Sequence, residues 1–142
     1  MNYVYPAIFY EEEGKISVLF PDLGNLATFG DNVADAMRMA QDACGLYLFT
    51  ALRDGETLPV PSSLKDIHPA AILKDIEIES AVNNAFVNMV LVDMTEYARQ
   101  HSDKAVKKTL SIPMWLNTLC EEKSINFSKV LQDALLTKVQ SL

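Results

Sequence analysis

The last part of the chain, Val106 to Leu142, reads as one short apolar-alternating strand followed by two tightly spaced amphipathic helices. A unit of about 35 residues falls below the size that buries a core unaided, so this segment constrains the fold more than any other. In Lys107-Lys108-Thr109-Leu110-Ser111-Ile112-Pro113, the two-residue period of a strand sends Leu110 and Ile112 to one face. Lys107, Thr109 and Ser111 go to the other. Two such strands from two chains make a ribbon with an apolar floor and a basic, hydrogen-bonding upper face. That is the chemistry needed to lie in a DNA major groove. A dimer and a nucleic-acid ligand are thus expected together.

The residues that follow support the same expectation. Pro113 suits the first turn of a helix, where its missing N–H is no loss. Trp115, Leu116, Leu119 and Cys120 form that helix's stripe, and Glu121-Glu122-Lys123-Ser124 ends it. Asn126 is an N-cap candidate for a second helix with Val130, Leu131, Ala134 and Leu135 at the same spacing. Leu110, Ile112, Trp115, Leu116, Leu119, Val130, Leu131 and Ala134 are the expected dimer core.

The net charge of −7 hides a division. Residues 1–96 carry 5 Lys/Arg against 15 Asp/Glu, a balance of −10, while residues 97–142 carry 7 against 4, a balance of +3. Such asymmetry points the basic end at phosphate and the acidic end at a basic protein, although acidity also serves solubility. At 142 residues, 49% hydrophobic and 22% charged, the chain has the composition of a soluble globular protein. It fits one ordinary domain, or a domain of about 100 residues with a small appendage. No stretch approaches the roughly 18 apolar residues of a membrane span. The N-terminus lacks a basic and an apolar signal region, and Cys44 and Cys120 sit in helical patterns as core residues. A cytoplasmic, membrane-free location is expected.

The first two-thirds read strand, strand, strand, helix, strand. Asn2 to Tyr10 is aromatic and β-branched, with Pro6 favouring an edge or bulged position. Glu11-Glu12-Glu13-Gly14 is a hairpin turn, Ile16, Val18 and Phe20 alternate in a second strand, and Leu26 to Phe29 is a third, ending at Gly30. Asn32 is a candidate N-cap with Asp35 three residues on. Val33, Ala36, Met37, Ala40, Cys44, Tyr47, Leu48 and Ala51 form the stripe of a long helix ended by Asp54-Gly55. Ser62 and Ser63 could cap a helical turn through Ile67, while residues 68–84 have no clean period. Phe86 to Met94 is apolar at nearly every position, the pattern of a central strand covered on both faces. Thr95 is the candidate cap of a short helix, and Ser102-Asp103-Lys104 reads as a polar linker.

The order and spacing of several short strings resemble a known family. They are Tyr5-Pro6-Ala7, Phe20-Pro21-Asp22-Leu23, Thr28-Phe29-Gly30-Asp31-Asn32, Lys107 to Pro113 with Trp115-Leu116-Asn117, Ile125-Asn126-Phe127-Ser128 and Val130-Leu131. Residues 106–140 resemble the ribbon-helix-helix DNA-binding proteins, and the whole chain resembles the HicB-type antitoxins of bacterial toxin–antitoxin systems. The resemblance implies an α+β chain: a partial RNase H-like β-β-β-α-β domain over residues 1–101, a linker over 102–105, and a ribbon-helix-helix (β-α-α) dimerisation domain over 106–142. It implies a protein that is not an enzyme and needs no cofactor. Such a protein blocks a small, basic HicA-type mRNA interferase and represses its own operon by binding double-stranded promoter DNA. The carried-over base-reading residues are Lys107, Thr109 and Ser111, with phosphate held by Lys108, Asn126, Phe127 and Ser128. The assembly is a dimer, or a tetramer if the N-terminal domains also associate. A stand-alone regulator whose N-terminal domain senses a ligand is the alternative.

The bland readings set bounds. A nuclease would need Asp22, Asp31 and Asp93, which lie at strand or helix ends, to converge on metal, yet the Pro-Asp turn explains Asp22 and the turn before the helix explains Asp31. His68 and His101 have no Cys at ligand spacing and read as surface residues, so no metal site is expected. Met37, Met39, Met89 and Met94 read as core filler.

Overall fold

A computed structural model describes residues 1–78, 83–102 and 105–142. The chain divides into two compact units, Met1–Asp103 and Lys104–Leu142. In the first, strands β1 (Asn2–Glu12), β2 (Lys15–Phe20), β3 (Leu26–Gly30) and β4 (Phe86–Asp93) make one antiparallel sheet in the spatial order β3-β2-β1-β4. Helices α1 (Val33–Arg53), α2 (Pro69–Asp75) and α3 (Met94–His101) complete it. The second unit holds α4 (Met114–Glu122) and α5 (Phe127–Gln140).

Local chemistry accounts for the order of elements. The β1–β2 hairpin closes on two residues, Glu13 and Gly14, with φ of 52° and 77°. Positive φ at both positions gives the turn whose twist matches that of the strands. At the start of α1, Asn32 Oδ1 accepts from Asp35 N–H at 2.8 Å and Asp35 Oδ2 accepts from Asp31 N–H at 3.0 Å. Gly30 permits this tight entry, because a Cβ there would lie 2.3 Å from the Ala36 nitrogen.

Both faces of the sheet are covered. Tyr5, Ala7, Phe9, Val18, Phe20 and Val90 pack beneath Ala36, Ala40, Cys44 and Leu48 of α1. On the other face, Ile8, Tyr10 and Leu19 lie under Ile67 and Leu73. The region without sequence periodicity therefore does fold: a single 3-10 turn spans Leu64–Asp66 and α2 starts at Pro69. Residues 79–82 lie outside the described residues. A strap between α1 and that turn is pinned by long-range hydrogen bonds. The Tyr5 hydroxyl donates to the Pro59 carbonyl at 2.6 Å, and the Ser62 amide and hydroxyl donate to the Asp22 carboxylate at 2.7 and 2.8 Å.

Four sequence expectations are corrected. Phe86 to Met94 was expected as a central strand, but β4 is an edge strand paired only with β1. Its apolarity is shared out instead: Val90 and Val92 join the α1 core, Val87 packs on the α2 side, and Leu91 stays 48% exposed. The strand covered on both faces is β1, buried continuously from Tyr5 to Tyr10. Pro6 consequently sits in an interior strand rather than at an edge. It opposes Met89, whose own N–H bonds the Asn88 side chain, so its ring nitrogen faces the side where pairing with β2 starts only at Ile8. No ladder donor is lost.

The other two concern helix starts. Val33 is exposed, because side chains in a first turn tilt back past the helix N-terminus. The cap of α3 is Asp93, not Thr95: its carboxylate accepts from the Thr95 and Glu96 amides at 3.0 and 3.3 Å. An ionised acceptor is the stronger cap near the positive end of the helix. The Thr95 hydroxyl instead accepts from the N-terminal ammonium at 2.8 Å.

Candidate nucleic-acid and dimerisation surface

In the second unit residues 105–113, expected to hold a strand, form none in the single chain. Residues 103 and 104 of the expected 102–105 linker lie outside the described residues. Pro113 precedes α4 at the N-cap position, and its carbonyl accepts from the Leu116 and Asn117 amides, both at 3.1 Å. The turn to α5 uses Ser124 at φ 53°, and Ile125 N–H returns to the Cys120 carbonyl at 2.9 Å. Asn126 caps α5 through Oδ1, which accepts from Lys129 N–H at 3.1 Å. The Phe127 and Ser128 amides belong to the first turn of α5, where N–H groups have no intrahelical acceptor.

Part of the expected DNA set comes together. Lys108, Leu110 and Ile112 line one groove with Phe127, Ser128 and Leu131. The expected phosphate residues Lys108, Phe127 and Ser128 are therefore neighbours, on an apolar floor. Lys107, Thr109 and Ser111 do not line that groove and are exposed. Asn117 lines it as well, a polar residue beside the apolar stripe that periodicity alone did not single out.

The expected dimer core is open. Trp115 is 66% exposed and Leu119 45%, while Leu110, Ile112, Leu116, Val130, Leu131 and Ala134 are exposed too. No residue of this unit is buried among the described residues. The helices thus carry apolar stripes with nothing on them, in contrast to α1, whose stripe lies on the sheet.

The carboxylates weighed for metal chemistry do not converge. Asp22 holds Ser62, Asp31 pairs with Lys15, and Asp93 caps α3. Among the described residues no group of three or more His, Cys, Asp or Glu is placed to hold a metal. His68 and His101 are exposed, the latter stacked on Tyr97 with ring centroids 4.0 Å apart. Cys44 is buried in the α1 core, and burial pushes its thiol up to about 12. Of the methionines read as filler, Met94 is buried and Met37, Met39 and Met89 are half-buried. No helix among the described residues is long and apolar enough to cross a membrane.

Comparison with known proteins finds similar chains. A chain from a toxin–antitoxin complex of Streptococcus pneumoniae is 30% identical, with a TM-score of 0.62, and 97% of this chain covers 99% of that one. Antitoxin HicB 2 of Photorhabdus laumondii subsp. laumondii is 36% identical over 62 residues, 44% of this chain and 45% of that protein, so the match spans about half of it. The antitoxin HicB of Burkholderia pseudomallei is 18% identical over 97% of both chains, with a TM-score of 0.47. The description HicB_like antitoxin of bacterial toxin-antitoxin system matches residues 5–134, and this chain belongs to that family.

Proposed function

We propose that the chain is an antitoxin and autorepressor. Residues 1–101 act as a partial RNase H-like domain that binds and blocks a small, basic HicA-type mRNA interferase. Residues 106–142 act as a ribbon-helix-helix unit, after a linker at 102–105, that dimerises and binds the promoter of its own operon. The chain performs no catalysis in this reading.

The observation that carries it is the open apolar surface of the second unit. Each large side chain fully removed from water contributes roughly 1.5–3 kcal/mol. Leu110, Ile112, Trp115, Leu116, Leu119, Val130 and Leu131 are exposed, and covering them with a second copy would give a gross gain on the order of 10 kcal/mol per protomer. Pairing the strands of two copies supports a ribbon with Lys107, Thr109 and Ser111 outward as base readers. Thr109 and Ser111 are short, so their reach to bases runs partly through water. Lys108 beside the α5 N-terminus supplies phosphate contacts that fix the register.

The test has two arms. Replacing both Lys107 and Lys108 with Ala abolishes binding to promoter DNA while the dimer persists; unchanged DNA binding would sink the strand assignment. The full chain is expected to co-purify with a small basic protein encoded by the adjacent gene, and the absence of such a protein or of co-purification removes the antitoxin half.

A further inference from the structure

The open edge of β4 carries two side-chain amides where a neighbouring strand would sit. Asn88 Oδ1 accepts from Met89 N–H at 2.9 Å, and Gln41 Nε2 donates to the Leu91 carbonyl at 2.9 Å. In an antiparallel ladder alternate residues turn both backbone groups the same way, so Val87, Met89 and Leu91 face outward from the sheet. The strand has none of the usual guards of an exposed edge: no Lys, no Pro, and no charge between Phe86 and Val92. On the α1 side the edge borders a groove between α1, β4 and α3, lined by Arg38, Asp42, Asp93, Glu96 and Gln100. On the other side Val4 and Leu91, opposite each other in the register, are 38% and 48% exposed.

We propose that the β4 edge is where the basic partner docks, adding an extended segment as a fifth strand; this rests on the antitoxin reading above. The incoming backbone displaces the Asn88 and Gln41 amides from Met89 and Leu91. Its alternate side chains divide between the two sides of the sheet. Cationic residues enter the groove of Asp42, Asp93 and Glu96, and apolar ones cover Val4 and Leu91. Charge complementarity decides the occupant. Residues 1–96 have a balance of −10, and in the groove Arg38 pairs with Asp35 at 2.8 Å, Glu96 with Arg99 at 3.4 Å and Asp93 with the N-terminal ammonium at 3.9 Å, which leaves Asp42 as the lining carboxylate with no ion pair among the described residues. A second copy of this acidic domain would bring like charge to the same edge.

The test uses the full chain and the small basic protein co-expressed with it, by titration at low and high salt. Met89→Pro removes an outward N–H without touching the ladder to β1, and Asp42→Lys reverses an exposed charge in the groove. Each is expected to weaken the complex at least tenfold. Phe29→Lys, on the opposite edge strand β3, leaves it within about twofold. If Met89→Pro does not fold, Asp42→Lys and Leu91→Lys, both at exposed positions, decide. Folded variants that bind like the wild type overturn the docking edge and leave the antitoxin reading intact. A free chain that shrinks in oligomeric size with Met89→Pro, while partner affinity holds, assigns the edge to a second copy and also overturns it. No binding by the wild-type chain removes the antitoxin reading itself, and this inference with it.

Discussion

Gly45, in the middle of α1, offers a test in which two opposing effects can be weighed. On propensity alone, Gly45→Ala in a helix interior gains about 1 kcal/mol. In this fold the new Cβ would stand 2.4 Å from Tyr97 Cδ2 and 2.6 Å from Cε2. Carbon pairs need about 3.5–4.0 Å, so the ring must retreat by roughly 1 Å or more. Tyr97 has little freedom to do so, since it stacks on His101 and tilts against Phe49 at 5.9 Å. Overpacking of this kind costs about 1–3 kcal/mol, and disturbing the aromatic contacts adds about 0.5–1.5 kcal/mol. Subtracting the propensity gain leaves a net loss of about 0.5–3.5 kcal/mol. For a unit of this size that lowers the melting temperature by roughly 2–28 °C.

The assay separates the two units cleanly. All five tyrosines lie within residues 1–97 and the one tryptophan is Trp115. Near-ultraviolet tyrosine signals therefore follow the first unit, and Trp115 fluorescence follows the second. Gly45→Ala is expected to lower only the tyrosine transition, and adding Tyr97→Ala to it is expected to cost less than Tyr97→Ala does in the wild-type chain. A Gly45→Ala chain that melts several degrees higher refutes the α1–α3 packing described here.

Three more outcomes follow from the same structure. Asp22→Ala removes two carboxylate hydrogen bonds from Ser62 at a part-buried site, which costs about 2 kcal/mol after allowing for replacement by water. Urea unfolding read by tyrosine checks it, and an unchanged midpoint contradicts the pinned strap. Lys108→Ala removes two phosphate contacts per dimer, so the slope of log affinity for promoter DNA against log salt becomes shallower by about 1.8. An unaltered slope removes Lys108 from the phosphate set. Stability of the first unit falls as pH rises past about 9: burial raises the Cys44 thiol to about 12 and raises the hydroxyls of Tyr5, Tyr10 and Tyr97. These groups are held neutral in the fold while the unfolded chain releases its protons at lower pH, so the stability is intact below that range and lost above it. Denaturant titration at pH 8 and pH 10.5 reads the difference, and equal midpoints contradict the burial.

Much of this was legible in the residues because it was local. The hairpin at Glu13-Gly14, β3 ending at Gly30, the Asn32 cap with Asp35, the stop at Asp54-Gly55 and the Asn126 cap all depend on neighbours within four positions. The strings that carried the family resemblance are largely these same turns and caps. What escaped was the consequence of tertiary partners. An apolar run such as Phe86 to Asp93 looks the same whether two strands or one flank it, and only the four-strand order shows that β4 is an edge. Residues 62–78 fold because the second face of the sheet offers Ile8, Tyr10 and Leu19, a surface that no local period announces. The choice of Asp93 over Thr95 as a cap turned on where β4 ends.

The candidate DNA surface was harder to read for a related reason. The placement of Lys108 by Phe127 and Ser128 depends on how residues 105–113 return to α5, which no local period announces.

In the proposed reading this chain neutralises a toxic, basic partner. Where the adjacent gene encodes a small basic protein, growth of cells after its induction, with the full chain supplied in trans, checks this. The expected result is arrest by the basic protein alone and full recovery when the chain is co-expressed. Arrest that persists with both proteins present, or no arrest by the basic protein at all, would contradict it.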